Sequence, residues 1–522
     1  MKKLVVHELL RHTLLSRPES EIVSGDVRLP YAQMYDRVVR LADRLGRMGV
    51  GRGTVVGVLD VNSHRYLELH YALSMLGAVI HTLNFRLAAE DLAYTIRHAE
   101  DEWIFAWKGF AEAVRPLRST VSRWVWMGDG ADPEDGALTY EALVAEGRLV
   151  EPDVADRIDE ADPYSIFYTT GTTGRPKGLM YRHRDVILAS LQIAHHLALY
   201  RTGASVGTGD VFMPLIPFFH IHGWGSAIFV PYLGAKLVLP GRAGPAEQLA
   251  LIRREGVTWS NMVPTQMQML LDAAGDEPLG LKVLTGGSPL SSGLAQAARD
   301  RGVTYSLIYG GSDQLGASIS VVPEHVDPTS AEAGRILATR TRPLPMVEIE
   351  VRDREGLAVP RDGKTIGEVW VRSPWLPQGY YNDPERTRES YVDGWFRSGD
   401  LAVLEDDGTL YVVDREKDAV KSGGEWIPCG VLESLLSEHP KVIEAVVVAK
   451  PDERWGERPL AVIRPRTPIS PEELRAYLGG LVDAGKLTKF WVPDDFVFLD
   501  NLPVTSAGKV HKVSLRKMLG LA

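Results

Sequence analysis

Apolar residues recur at Tyr31, Met34, Val38, Leu41, Leu45 and Met48, the spacing of one helix face, and Gly49 follows as a stop. The next run, Thr54-Val55-Val56-Gly57-Val58-Leu59, is nearly all apolar and reads as a buried strand. The unit repeats. Residues 66–76 read as a helix leading into Val79-Ile80-His81-Thr82-Leu83, and residues 249–255 as a helix leading into Val257-Thr258-Trp259-Ser260. Helix and strand in alternation predict an α/β core with parallel sheets.

After about residue 330 the texture changes to short strands separated by turn residues: Val347-Glu348-Ile349-Glu350-Val351, Gly367-Glu368-Val369-Trp370-Val371 and Gly408-Thr409-Leu410-Tyr411-Val412-Val413. This predicts an antiparallel β subdomain. Beyond Lys417 a compact α+β stretch is expected, with a helix over 431–438, strands over 445–449 and 460–464, and a further helix opened by Ser470-Pro471-Glu472-Glu473. There Ser470 serves as N-cap, Pro471 takes the first helical position and Glu473 is the capping-box partner. The expected fold is therefore α/β: a large N-terminal domain over residues 1–416, with parallel α/β subdomains and an antiparallel β subdomain, followed by a small α+β C-terminal domain over 417–522.

A chain of 522 residues exceeds one ordinary core and suits this division. Lys and Arg total 58 against 68 Asp and Glu, a formal charge of −10, so no basic surplus exists to hold a nucleic-acid backbone. An anionic ligand must be met by local donors instead. The single cysteine, Cys429, excludes an intrachain disulfide and a cysteine-rich metal site, and suits a reducing compartment. His7, Glu8, Arg11 and His12 break the first apolar stretch before a signal-like segment forms, and the longest apolar tract, residues 223–239, contains Pro231 and Lys236. A cytoplasmic protein without a membrane span is expected.

The densest chemical signal is Tyr168-Thr169-Thr170-Gly171-Thr172-Thr173-Gly174-Arg175-Pro176-Lys177-Gly178, placed after strand-like residues 164–167. Glycines turn backbone N–H groups toward an anion, the threonine hydroxyls add donors and Lys177 adds charge, which together can cradle a polyphosphate. The spacing is not that of a Walker loop. His220 and His222, two apart, lack a third ligand at a metal-binding spacing.

This stretch resembles the phosphate loop of the adenylate-forming superfamily, which includes acyl-CoA synthetases, aryl-CoA ligases, luciferases and peptide-synthetase adenylation domains. The resemblance continues in family order. Pro217-Phe218-Phe219-His220 resembles the aromatic-His motif, Gly286-Gly287-Ser288-Pro289-Leu290 the adenine-side loop and Tyr309-Gly310-Gly311-Ser312-Asp313 the Tyr-Gly-x-Thr-Glu motif. Gly394-Trp395-Phe396-Arg397-Ser398-Gly399-Asp400 resembles the ribose motif, Asp414-Arg415-Glu416-Lys417-Asp418 the hinge, and Pro503-Val504-Thr505-Ser506-Ala507-Gly508-Lys509 the segment carrying the catalytic lysine.

The resemblance implies that Thr169, Thr170, Gly171, Thr172, Thr173, Gly174 and Lys177 hold the β- and γ-phosphates of ATP, while Tyr309 stacks on adenine beside Gly286, Gly287 and Ser288. Gly310 and Ser312 belong to the same nucleotide site. Asp400 takes the ribose hydroxyls near Arg415. Lys509 bridges the substrate carboxylate and the α-phosphate, with Lys177 and Ser312 as further catalytic groups. Asp313 stands where the family usually has Glu as a ligand of Mg²⁺; being one methylene shorter, it requires the ion to shift or to bind through water.

Phe218, Phe219, His220, Trp224 and Gly311 are the implied acyl-binding residues. Residues 218–224 contain no carboxylate to pair an amino-acid ammonium, so an apolar acid is expected. This region and Gly423-Gly424-Glu425-Trp426-Ile427 look most like medium- and long-chain fatty acyl-CoA synthetases and their methylthio-propionate-activating relatives. The implied reaction forms an acyl-adenylate and pyrophosphate; the C-terminal domain then swings about Lys417, and CoA displaces AMP. Gly423, Gly424, Glu425 and Trp426 then line the pantetheine channel. The alternatives are an acyl-adenylate ligase that loads a carrier protein, a luciferase-type oxygenase and a nucleotide-binding regulator without catalysis. The expected partners are the acid, ATP and CoA, with no nucleic acid; a homodimer is left open.

Overall fold

The computed structural model describes residues 3–130, 137–169, 175–416, 418–423, 425–503 and 510–521. Two large sheets, each mostly parallel, form the N-terminal part. In the seven-stranded sheet, strands Val55–Leu59, Val79–Thr82, Trp103–Trp107 and Arg123–Met127 run parallel, and Pro163–Thr169 joins them beside Val79–Thr82. Strand Lys177–Arg182 then closes the edge in antiparallel register. The nine-stranded sheet carries Val211–Pro214, Lys236–Leu239, Trp259–Met262, Lys282–Gly286 and Thr304–Tyr309 as its parallel centre. The alternation of helical and strand periods over residues 31–83 and 249–262 is thus realised, with boundaries displaced by a few residues as helix ends fray or cap.

The helix His64–Leu76 shows why these layers cohere. All its residues are buried, so it cannot be a surface helix with one wet face. It starts where the Ser63 hydroxyl accepts from the Tyr66 N–H and stops at Gly77 in the left-handed region (φ 67°). Its one buried carboxylate, Glu68, is matched by Arg37 (2.7 Å) and the Tyr140 hydroxyl (2.6 Å). Burial pushes the Glu68 carboxyl up despite these partners.

The later part agrees with the change of texture after residue 330. Glu348–Arg352, Gly367–Arg372, Trp395–Leu404 and Leu410–Arg415 pair antiparallel. The C-terminal part has its own five-stranded sheet and a core including Val420, Ile427, Leu432, Val447, Ala461 and Leu474. Its helix Pro471–Asp483 is capped by Ser470, which accepts from the Glu473 N–H at 3.3 Å. The Glu473 carboxylate goes to Lys441 at 2.8 Å, so it engages a cation as well as belonging to the cap sequence. Among the described residues no helix is long and apolar enough to cross a membrane. The tract 223–239 is divided into helix Ser226–Leu233 and strand Lys236–Leu239.

Glu255 ends helix Pro245–Glu255 and ties it to two strands of the nine-stranded sheet. Its side chain is 2% exposed and meets Arg28 (2.7 Å), Lys236 (3.0 Å) and Arg254 (3.0 Å). Burial opposes its ionisation, but these three cations prevail and hold the carboxyl at about 2. Its contribution to stability is complete above the unfolded value near 4.5 and is lost as pH falls through about 2. Glu255→Gln is expected to lower the denaturant midpoint at pH 7 by an amount equivalent to about 1–3 kcal/mol. Titrating both proteins down from pH 5 should close the gap; a constant gap would show that charge is not the cause.

Candidate active site

The site gathers where the ends of both parallel sheets meet the antiparallel subdomain. Thr169 ends its strand and Lys177 begins the next, and the two are register partners. The intervening loop is therefore a hairpin connection closed at its neck. Thr170, Gly171, Thr172, Thr173 and Gly174 lie outside the described residues. The Lys177 ammonium sits 4.4 Å from the centre of the Tyr380 ring, a cation–π contact that orients it without neutralising it.

The Tyr380 hydroxyl donates to Asp313 Oδ1 at 2.5 Å. Tyr391 donates to the Asp313 carbonyl at 3.2 Å, and Tyr181 donates to the Ser312 carbonyl at 2.6 Å. Three tyrosines thus fix the segment after strand Thr304–Tyr309. Burial, followed by the Asp313 charge, raises the Tyr380 and Tyr391 phenols, which keeps both as neutral donors. Gly310 permits the chain to double back here: with φ 144°, a Cβ would meet Gly316 Cα at 2.6 Å.

A second group forms one strand-end away. Tyr309 donates to Asp400 Oδ2 at 2.8 Å, and Arg415 Nε lies 3.2 Å from Asp400 Oδ1. Asp400 and Arg415 are cross-strand partners, so sheet register brings them together. A carboxylate is an acceptor-only group, the type of side chain that vicinal hydroxyls can donate to. Gly286 ends the adjacent strand so close to its neighbour that a Cβ would stand 2.4 Å from the Ile308 carbonyl oxygen; Gly287 then turns at φ 81°. Ser288, half-buried, follows in the same loop.

The predicted acyl residues divide. Phe218 is fully buried in the core against Tyr66 and His70, while Phe219 packs on Phe85 and His220. His220 and Trp224 are half-buried at the edge of this core, as is Gly311 beyond Tyr309. Between them the backbone winds left-handed: φ is 48° at Ile221, 52° at His222, 63° at Gly223, 54° at Trp224 and 78° at Gly225. For the non-glycine residues this hand costs roughly 1–2 kcal/mol each. Hydrogen bonds oppose the cost: Asn261 and Ser226 both donate to the Gly223 carbonyl at 2.8 Å, and His222 Nε2 pairs with the Ser165 hydroxyl at 3.0 Å. Burial pushes the His222 imidazole down to about 3, so it is neutral near pH 7.

The residues expected to line a pantetheine channel stand apart. Trp426 packs beside Leu401, Val413 and Ala419, with Ile366 and Tyr411 nearby, and the Gly423 N–H donates to the Trp455 carbonyl at 2.8 Å. Neither joins the Tyr309 or Trp224 groups. Gly424, Lys417 and Lys509 lie outside the described residues, and Glu425 opens strand Glu425–Ile427. Tyr181, Tyr380 and Tyr391 are absent from the sequence expectations. The one signal pointing to them is Gly379-Tyr380-Tyr381, an aromatic pair in a turn-rich stretch where no core periodicity calls for it.

With this geometry, known proteins are informative. A family model described as AMP-binding enzyme matches residues 10–381, and one described as AMP-binding enzyme C-terminal domain matches residues 431–509. The chain is 40% identical over 511 residues to the long-chain-fatty-acid–CoA ligase of Thermus thermophilus, covering 95% of this chain and 92% of that protein. Identity to the medium-chain-fatty-acid–CoA ligase of Ectopseudomonas oleovorans is 33% over 543 residues, covering 99% of this chain and 96% of that one. Among solved structures, ATP-bound MatB from Rhodopseudomonas palustris matches with a TM-score of 0.83 at 25% identity, covering 99% of both chains. Over both its large and its C-terminal parts, the chain belongs to the AMP-binding enzyme family.

Proposed function

We propose that this protein is an AMP-forming acyl-CoA synthetase for an apolar, fatty-type carboxylic acid. The observation that carries this reading is that two contact chains, Lys177–Tyr380–Asp313 and Tyr309–Asp400–Arg415, are both anchored on the short stretch from Tyr309 to Asp313. The relatives' fatty-acid–CoA ligase activities support the same chemistry. In the first step a carboxylate oxygen of the acid bonds to the α-phosphorus of ATP and the bond to pyrophosphate breaks. In the second, the CoA sulfur bonds to the acyl carbon, its proton is lost and AMP leaves.

Thr169 through Gly174 and Lys177 would hold the departing phosphates, Tyr309 with Gly286, Gly287 and Ser288 would hold adenine, and Asp400 beside Arg415 the ribose. Lys509 would offset the charge that builds as two anions meet. Residues 1–416 are read as the adenylation domain and 417–522 as the lid that turns about Lys417 to admit CoA along Gly423 to Trp426. A cytoplasmic location accords with the single cysteine, which is buried.

An apolar acid is favoured by residues 218–224, which carry no carboxylate to pair a substrate ammonium. Mg²⁺ fits the donor set. Among the described residues no group of three His, Cys, Asp or Glu could hold a metal alone, and Mg²⁺ commonly takes one carboxylate with waters and substrate phosphates. Asp313 would offer it Oδ2, because Oδ1 accepts from Tyr380. Bound there, the ion would offset negative charge on the phosphates.

Pyrophosphate release measured with fatty, aromatic and short acids, each with and without CoA, tests the function directly. CoA-dependent thioester from an apolar acid is the expected result. Adenylate formation that never yields a CoA thioester would indicate a carrier-protein ligase, and silence with every acid would indicate a regulator. Asp313→Asn should raise the Mg²⁺ concentration needed for half-maximal adenylation several-fold, while Asp313→Glu retains activity. An unchanged Mg²⁺ titration in the Asn variant would remove Asp313 from the metal site. Trp224→Ala should shift kcat/KM toward longer or bulkier acids by roughly 1–3 kcal/mol per methylene mismatch. If the ranking of acids stays as it was, Trp224 serves packing alone.

A further inference from the structure

Asp414 is the penultimate residue of strand Leu410–Arg415, on the large-domain side of the expected pivot at Lys417. Its Oδ2 accepts from the Cys429 N–H at 2.6 Å and lies 3.4 Å from the Gly430 N–H. These are the first residues of helix Cys429–Ser437, on the far side of that pivot. The carboxylate therefore caps a helix of the other domain, using N–H groups that lack partners within their own helix. A second observation concerns the backbone. Gly430 comes so close to the large domain that a Cβ would meet the Val413 carbonyl oxygen at 2.8 Å.

The same junction reaches helix Lys512–Met518. Lys512, the first residue of helix Lys512–Met518, lies 2.8 Å from Glu433 Oε1. That oxygen also accepts from the Val447 N–H at 2.8 Å. Burial opposes the Lys512 charge, but Glu433, Cys429 and Asp414 raise its pKa well above that of a free lysine. The His511 N–H donates to the Pro503 carbonyl at 2.7 Å. Trp426, meanwhile, packs with Leu401, Val413 and Ala419, whereas Trp224 and Tyr309 pack against the main core of the large domain. The expected pantetheine-channel tryptophan and the aromatic residues of the candidate site thus belong to different clusters.

We infer that Asp414, with the close approach at Gly430 and the Lys512–Glu433 pair behind it, is a positioning latch that holds the C-terminal domain in the orientation for adenylate formation. This rests on the proposed two-step synthetase reaction. Rotation about residue 417 carries Cys429 and Gly430 away from Asp414. The latch must therefore break before thiol attack, and its strength sets the balance between the half-reactions.

The experiment measures both half-reactions in the full-length protein: pyrophosphate exchange for adenylation, and thioester formation from supplied acyl-adenylate and CoA. Asp414→Asn and Gly430→Ala, each checked for an unchanged circular dichroism spectrum, should raise the ratio of thioester formation to adenylation on the order of tenfold. Lys512→Met should shift it in the same direction. A ratio equal to that of the wild type in both Asp414→Asn and Gly430→Ala overturns the latch, as does a parallel loss of both half-reactions, which is what a merely structural role produces. A wild type that makes no thioester from adenylate and CoA instead overturns the synthetase reading. The ratio and the wild-type activity thus fail separately.

Discussion

The Tyr380 side chain, with Lys177 over its ring and Asp313 at its hydroxyl, is the contact on which the arrangement depends. Lys177 belongs to the seven-stranded sheet, Asp313 follows a central strand of the nine-stranded sheet, and Tyr380 comes from the connection between strands Gly367–Arg372 and Trp395–Leu404 of the antiparallel sheet. One phenol therefore sets the spacing of three structural units. It does so with two different attractions, the ring quadrupole for the cation and the hydroxyl for the anion, so neither charge is cancelled by the other. A direct Lys–Asp salt bridge would have drawn the two together and left both less available to a polyphosphate and its counter-ion.

The second dependence is on register. Thr169 faces Lys177, and Asp400 faces Arg415, because strands pair at those positions. A one-residue slip would turn alternate side chains to the opposite face. Buried apolar strands such as Val55–Leu59, and the buried helix His64–Leu76, make such a slip costly far from the site itself. The large core thus contributes to function through geometry, holding polar residues at strand ends where the sheets leave room.

Much of this was legible in the sequence where local rules and tertiary demands coincide. The helical period over 31–48, the apolar run at 54–59 and the cap at Ser470 all became the elements they suggested. Tyr309, Asp400 and Arg415 stand together as the motif order implied. Other parts were hidden because they depend on contacts between segments remote along the chain. Nothing near Tyr380 announces Lys177, some 200 residues earlier. Phe218 looks like a lining residue by its neighbours, yet its ring is enclosed by Tyr66 and His70. Asp414 belongs to a hinge-like string, and only the fold shows that its carboxylate crosses to another domain.

The left-handed turn over 221–225, which the proposed function sets beside the acid, constrains how this part of the chain can change. Its side chains are splayed by a screw sense opposite to that of every ordinary helix, so the directions of Ile221, His222 and Trp224 cannot be reached by lengthening or rotating a right-handed one. No continuous series of small backbone adjustments links the two hands. Single substitutions on this frame change side chains while its left-handed backbone persists; a different frame requires exchanging the whole turn together with Ser165, Asn261 and Ser226, whose hydrogen bonds hold it wound. The turn is thus divided into easily varied side chains and a backbone frame that changes only as a block.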